Sequence, residues 1–101
     1  MDSAAGEALR LAWEMTISRE EFERVLPGAT GCEPRPTGGS SWRGGDDDCG
    51  WIARIEPLPD LALGSLRLPR HRVRLEMHGF AGEARSRFLA RWELNFRRGG
   101  G

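Results

Sequence analysis

The chain has 101 residues, the size of one small domain. Hydrophobic residues make up 39% of it and charged residues 30%, a balance that suits a globular protein and excludes wholesale disorder. No apolar run approaches the roughly 20 residues that a membrane-spanning helix needs. The opening MDSAAGEALR has no apolar signal region, so we expect a cytoplasmic protein that does not interact with a membrane.

Charge is balanced over the whole chain but unevenly placed. Residues 1–50 carry five arginines and ten acidic residues, whereas residues 51–101 carry ten arginines and five acidic residues. Such a dipolar chain favours charge-steered association, including association with itself.

The two cysteines, Cys32 and Cys49, are expected to be free thiols in a reducing cytosol; in an exported protein they would pair.

The N-terminal part predicts a strand followed by a helix. Residues 7–17 alternate strictly between two sets of side chains, one of them large and apolar, which is typical of a half-buried strand. Residues 18–26 change to helical spacing. Ser18 and Glu21 form an S-x-x-E capping box at the start of this helix, and Pro27 ends it.

Residues 27–50 predict a mobile loop. Seven glycines and three prolines among 24 residues should prevent both helix and strand formation. So long a loop is unusual within a compact domain, and Trp42 is its only large apolar side chain.

Residues 51–57 predict a second strand, which Pro57 and Pro59 either end or confine to a sheet edge. Four leucines follow and predict a short strand or an extended, bulged segment: Leu61, Leu63, Leu66 and Leu68.

Residues 72–78 give the strongest strand pattern. The apolar side chains of Val73, Leu75 and Met77 alternate with charged ones and are expected to face the core. Leu66 and Leu68 stand at even-numbered positions, whereas Val73, Leu75 and Met77 stand at odd-numbered ones, which predicts a turn or bulge at residues 69–71 that restores the register.

Residues 82–96 predict a helix, because aromatic residues recur at Phe88, Trp92 and Phe96. Alternatively, the helix ends near Arg91 and a final edge strand follows. Gly99 is expected to follow the helix as its C-terminal cap.

The order of elements predicts an α+β fold: a small two-layer sandwich with one mainly antiparallel sheet and two helices on one face. A final strand would give a ferredoxin-like variant. We expect a flexible N-terminus at residues 1–6, a single domain at 7–98 that contains the mobile loop, and a flexible tail at 99–101.

The densest positive patch is the best candidate for a binding site. If residues 72–78 form a strand, alternate side chains project from the sheet as a row that could grip carboxylates or phosphates. The predicted partner-binding residues are Arg67, Arg70, Arg72, Arg74 and His78.

Catalytic and metal sites have weaker support in the sequence. Asp46, Asp47 and Asp48 do not match a calcium-binding loop, and the two Cys and two His have no zinc-ligand spacing, so no metal or cofactor is expected. No nucleophile or phosphate-loop motif is found. An enzymatic role is the less favoured interpretation.

The sequence therefore predicts a non-enzymatic binding or accessory module that recognises a protein partner through its arginines and forms a homodimer. Nucleic-acid binding through the basic C-terminal half is a first alternative. A small thiol- or metal-dependent enzyme that uses residues 27–50 is a second.

Overall fold

A computed structural model describes residues 8–99. The elements follow one another along the chain as β1 (Ala8–Met15), α1 (Arg19–Thr30), β2 (Arg35–Gly38), β3 (Ser41–Gly45), β4 (Gly50–Leu63), β5 (Leu66–His78) and α2 (Gly82–Gly99).

One five-stranded antiparallel sheet has the strand order β1-β5-β4-β3-β2. The N-terminal strand pairs with the last one, so that Ala8 lies opposite His78 and Met15 opposite His71. Both helices pack on the same side of this sheet. The predicted α+β sandwich is confirmed; the alternative final strand is wrong, because the segment after Arg91 continues α2 to Gly99.

The core lies between the sheet and the helices. Val73, Leu75 and Met77 are buried on the helix-facing side of β5, as the alternation predicts. Their neighbours across β4, Ile55, Ala53 and Trp51, are buried as well.

An aromatic row crosses this core. It contains Trp13 of β1, Trp92 and Phe96 of α2, Phe22 of α1 and Trp42 of β3, with successive ring centroids 4.6 to 5.6 Å apart. Since its members come from both helices and two strands, the row ties the two layers together.

Helix α1 begins where the capping box predicts. The Ser18 hydroxyl accepts a hydrogen bond from the Glu21 amide at 3.1 Å. The helix does not end at Pro27 but runs to Thr30, and Gly31 caps it in the left-handed conformation. The Arg91 guanidinium of α2 donates to the Gly28 carbonyl at 2.6 Å and so supplies a donor for the C-terminal turn.

Residues 27–50 depart most from the sequence prediction. Instead of lacking regular structure, they form the end of α1 and the hairpin β2–β3. Gly44 is required at its position, because a Cβ there would lie 2.5 Å from the ring of Trp51 on the neighbouring strand. The glycine thus makes room for a core tryptophan rather than breaking the strand.

Arg19 fixes the turn of this hairpin to α1. Its guanidinium donates to the Gly39 carbonyl at 2.8 Å and to the Ser40 hydroxyl at 3.1 Å. The same group lies 5.3 Å from the ring centroid of Trp42, within the range of a cation–π contact.

Strands β4 and β5 continue well past their neighbours. On the β3 side β4 is paired only up to Arg54, and on the β1 side β5 is paired only from His71 onward. Residues 58–70 therefore project as a two-stranded extension, here called the leucine arm, and the molecule measures 55 × 25 × 22 Å.

The bulge in this region lies on the other strand from the one predicted. It falls in β4 between Leu58 and Leu61, whereas β5 runs unbroken through residues 69–71. Leu66 and Leu68 consequently share a face with Arg70 instead of returning to the core side.

The predicted flexible N-terminus at residues 1–6 lies outside the described residues, as do the last two residues of the predicted tail at 99–101. Gly99 is the last residue of α2 rather than a cap beyond it. Within residues 8–99, neither helix has the length and apolar character to cross a membrane.

We predict that Gly44→Ala destabilises the protein by about 1–3 kcal/mol, because the added methyl group overpacks against Trp51. Urea denaturation followed by circular dichroism measures this change. Gly28→Ala is the matched control: it lies within α1, and its Cβ would meet only the Asn95 side chain, at 3.1 Å, so the loss of stability should be smaller than that of Gly44→Ala. Equal effects of the two substitutions would contradict the role assigned to Gly44.

Candidate functional site

The side of the sheet opposite the helices, here called the open face, is not covered by any element of the described chain. Its paired strand positions carry seven arginines and three glutamates, an excess of four positive charges. These are Arg10, Arg35, Arg43, Arg54, Arg70, Arg72 and Arg74, with Glu14, Glu56 and Glu76.

Cross-strand ion pairs connect these charges. Glu14 of β1 lies between two arginines of β5, with its oxygens 2.9 Å from Arg70 and 3.1 Å from Arg72. On the other side of β5, Glu56 of β4 lies 2.9 Å from Arg74 and 3.7 Å from Arg72. Each carboxylate thus bridges guanidinium groups along the β5 row.

A second cluster surrounds Glu76, which lies 3.5 Å from Arg10 and 3.6 Å from Arg54. With Arg74 these side chains border a shallow depression of about 360 Å³ around Ala12. The small alanine leaves the space between the long side chains open.

The two remaining arginines of the open face lie on the hairpin β2–β3. Arg35 and Arg43 are paired across it, and no carboxylate of the described residues lies within ion-pair distance of either. Arg35 donates instead to the Gly45 carbonyl. This end of the open face has the least compensated positive charge.

The structure brings together four of the five predicted binding residues. Arg70, Arg72, Arg74 and His78 share the open face, and the His78 ring lies over Gly50 of β4. Arg67 stands at an odd-numbered position of β5, whereas the other four stand at even-numbered ones. Its side chain therefore faces the other side of the leucine arm, across from Ala62.

Glu14, Glu56 and Glu76 are not among the binding residues predicted from the sequence. Each occupies a polar position of an alternating strand, and that alternation was the available signal. Which arginines each glutamate meets depends on the strand register, which a single sequence does not specify.

The arginines act directly on the ionisation of Glu14. The hydrogen bond from Arg72, assisted by the nearby charge of Arg70, lowers the pKa of the Glu14 carboxyl below its ordinary value of 4.5. The carboxylate stays charged and holds both guanidinium groups in place at neutral pH.

The thiol and acidic groups near β4 form a different environment. Burial, together with the charges of Asp46 and Asp48, raises the pKa of the Cys49 thiol. This keeps Cys49 protonated at neutral pH and makes it a poor nucleophile. Among residues 8–99 no cluster of three or more His, Cys, Asp or Glu side chains could hold a metal ion.

Comparison of the chain with protein-family models, with curated proteins and with solved structures finds no match.

We predict that Glu14→Gln destabilises the protein at pH 7 and that this difference shrinks as the pH is lowered. Because the folded-state pKa of Glu14 is depressed, its carboxylate contributes stability above pH 4.5, and this contribution is lost as the pH falls through the folded-state value. Thermal unfolding of both proteins from pH 7 to pH 3 measures the effect.

Glu33→Gln serves as the control, since no cation of the described residues lies within ion-pair distance of that exposed side chain. A melting-temperature difference for Glu14→Gln that is independent of pH would show that its ion pairs do not stabilise the fold.

Proposed function

We propose that this protein is a non-enzymatic binding module of the cytoplasm that recognises an acidic protein surface through its open face. The observation that carries the proposal is the uncovered row of arginines with an excess of four positive charges over the intervening glutamates. Guanidinium groups bind carboxylates in a planar, two-pronged geometry, which suits recognition of Asp and Glu side chains.

The ion pairs within the open face support this role. Surface pairs of this kind contribute only about 0–1 kcal/mol each to folding, so stability alone gives little reason for so many. They do restrict the rotamers of Arg70, Arg72 and Arg74 before a partner arrives. Restricted side chains lose less conformational entropy on binding.

The composition of the open face favours a protein over a single-stranded nucleic acid. Platforms for single strands present aromatic rings on which bases stack. None of the paired open-face positions carries Phe or Trp; the aromatic rings of the described strands lie on the helix-facing side. A zero formal net charge also gives little long-range attraction to phosphate chains.

Self-association is the second part of the proposal. Residues 1–50 carry ten acidic residues and five arginines, and residues 51–101 the reverse, so the acidic part of one copy can attract the basic part of another. The zero net charge means that two copies do not repel each other at long range.

The test replaces three arginines of the open face. Arg54 and Arg74 are more than half exposed, and Arg43 has no carboxylate of residues 8–99 within ion-pair distance. We expect Arg43→Ser/Arg54→Ser/Arg74→Ser to lose at least about tenfold in the capture of acidic proteins from a nuclease-treated extract of the source cells. Quantitative mass spectrometry of the retained proteins measures this loss.

The matched control is Arg24→Ser/Arg85→Ser/Arg87→Ser, which removes the same charge from the exposed surfaces of the two helices. Equal capture by both variants would exclude the open face as the binding surface. Titration of a single-stranded oligonucleotide at several salt concentrations tests the other class of partner: tight binding with a steep salt dependence, lost in the open-face variant alone, would replace the protein partner by a nucleic acid.

A further inference from the structure

The depression on the open face has the features of a site for one small anionic group. It lies around Ala12, has a volume of about 360 Å³, and is here called the Ala12 depression. The charged side chains at its border are Arg10, Arg54, Arg74 and Glu76. They come from the adjacent strands β1, β5 and β4, so the pairing of the sheet fixes the spacing of their backbones.

A small side chain forms the floor of this depression. Ala12 is exposed and lies opposite Arg74 in the pairing of β1 with β5. Alanine is not a favoured strand residue, so strand propensity gives no reason for it at this position. A larger side chain would fill the space between the arginines. The alanine therefore leaves room for a ligand group to approach the level of the sheet.

The arginines of the depression are placed unfavourably for folding alone. Arg54 and Arg74 are direct cross-strand partners on β4 and β5. Like charges directly opposite each other destabilise a sheet, and exposed ion pairs offset little of this effect. An anion held between the two guanidinium groups would replace their repulsion by attraction. Their placement thus favours a site for a negatively charged ligand.

The guanidinium groups have more donors than their present contacts use. Each carries five N–H donors. Arg10 and Arg54 form only long pairs with Glu76, at 3.5 and 3.6 Å, and Arg74 contacts Glu56 through Nη1. The side chains of the three arginines are 75%, 54% and 57% exposed. Donors of all three can therefore reach a ligand that approaches from solvent.

Charge and geometry together indicate a phosphoryl group. Three arginines and one glutamate leave an excess of two positive charges at the Ala12 depression. A carboxylate brings one negative charge on two oxygens, whereas a phosphorylated serine or threonine brings a charge of about −1.5 to −2 on three strong acceptor oxygens. Arginine binds phosphate oxygens in a two-pronged geometry, and arginine clusters recognise phosphorylated segments in several kinds of domain. A phosphoryl dianion matches this site better than a carboxylate does.

We propose that the Ala12 depression binds a phosphorylated serine or threonine of the protein partner, with Arg10, Arg54 and Arg74 donating to its phosphoryl oxygens. This inference rests on the proposed function and names the group by which the acidic partner is recognised. Glu76, on the central strand between Arg10 and Arg54, orients both guanidinium groups before the ligand arrives. Binding is then conditional on phosphorylation of the partner.

Fluorescence anisotropy of two labelled peptides tests the inference on the full chain. One is a short peptide with a phosphoserine between flanking glutamates, and the other has glutamate in place of the phosphoserine. We expect the phosphopeptide to bind at least about tenfold more tightly, because it brings a further charge and a further acceptor oxygen to the arginines.

The outcomes of this comparison separate the inference from the proposed function. Equal affinities for the two peptides would overturn the phosphoryl site and leave recognition of acidic surfaces standing, since both peptides are acidic. Failure of the phosphopeptide to bind at concentrations up to about 1 mM would also overturn the inference. The capture experiment with the open-face variant then decides the proposed function independently.

Two variants test the place of binding. Arg54→Gln/Arg74→Gln removes two of the three arginines, and Ala12→Leu fills the depression without changing any charge. Each should reduce the preference for the phosphopeptide to about twofold or less. Arg35→Gln/Arg43→Gln is the matched control, because it removes another cross-strand arginine pair of the open face that does not border the depression.

The control should weaken the binding of both peptides alike and keep the preference for the phosphopeptide. Circular dichroism checks that each variant is folded. An undiminished preference in folded Ala12→Leu, or a preference lost equally in the control, would overturn the assignment of the phosphoryl group to the Ala12 depression.

Two other probes test other sources of a phosphoryl group: a single-stranded oligonucleotide, and vesicles of phosphatidic acid and phosphatidylcholine. We expect both to bind more weakly than the phosphopeptide. An oligonucleotide carries one charge per phosphate, and a shallow site between long side chains suits a group on a projecting side chain better than one in a flat lipid layer. Tighter binding of either probe, lost in Ala12→Leu, would overturn the phosphorylated protein partner in favour of that ligand.

Discussion

The row of aromatic rings through the core is the constraint on which the rest of the structure depends. It joins Trp13, Trp92, Phe96, Phe22 and Trp42 in unbroken contact. Each such pair contributes roughly 0.5–1.5 kcal/mol beyond the burial of its area. Because the rings come from both helices and from β1 and β3, which are separated in the sheet by β5 and β4, both helices must lie on this side. The charged side chains of the strands are therefore left on the uncovered side.

Periodicity in the sequence predicts the parts of the fold that a single element determines. Residues 72–78 alternate so clearly that the core positions of β5 follow from them, and the capping residues locate the start of α1. The hairpin β2–β3 could not be predicted in this way. Its glycine-rich sequence has no alternation of its own, and its order depends on remote groups: the Trp51 ring against Gly44 and the Arg19 guanidinium at the turn.

The candidate site was predictable to the same extent. Parity along β5 places Arg70, Arg72 and Arg74 on one face, and the structure agrees. Their partners were not predictable, because Glu14 reaches Arg72 only through the pairing of two strands 58 residues apart. An isolated pattern of arginines suggests free positive charge, whereas the folded sheet holds that charge in a partly compensated, ordered arrangement.

The pairing of the first described strand with the last also constrains when the fold can form. Every partner of β1 lies between His71 and His78, so a growing chain on the ribosome cannot complete the sheet until nearly the whole domain has been synthesised. Until then Trp13 has neither its strand neighbour nor α2 to pack against. Contacts between residues so far apart in the sequence slow folding and prolong the exposure of apolar surface. The sheet and its aromatic core are thus completed only late in synthesis, once both β5 and α2 have left the ribosome.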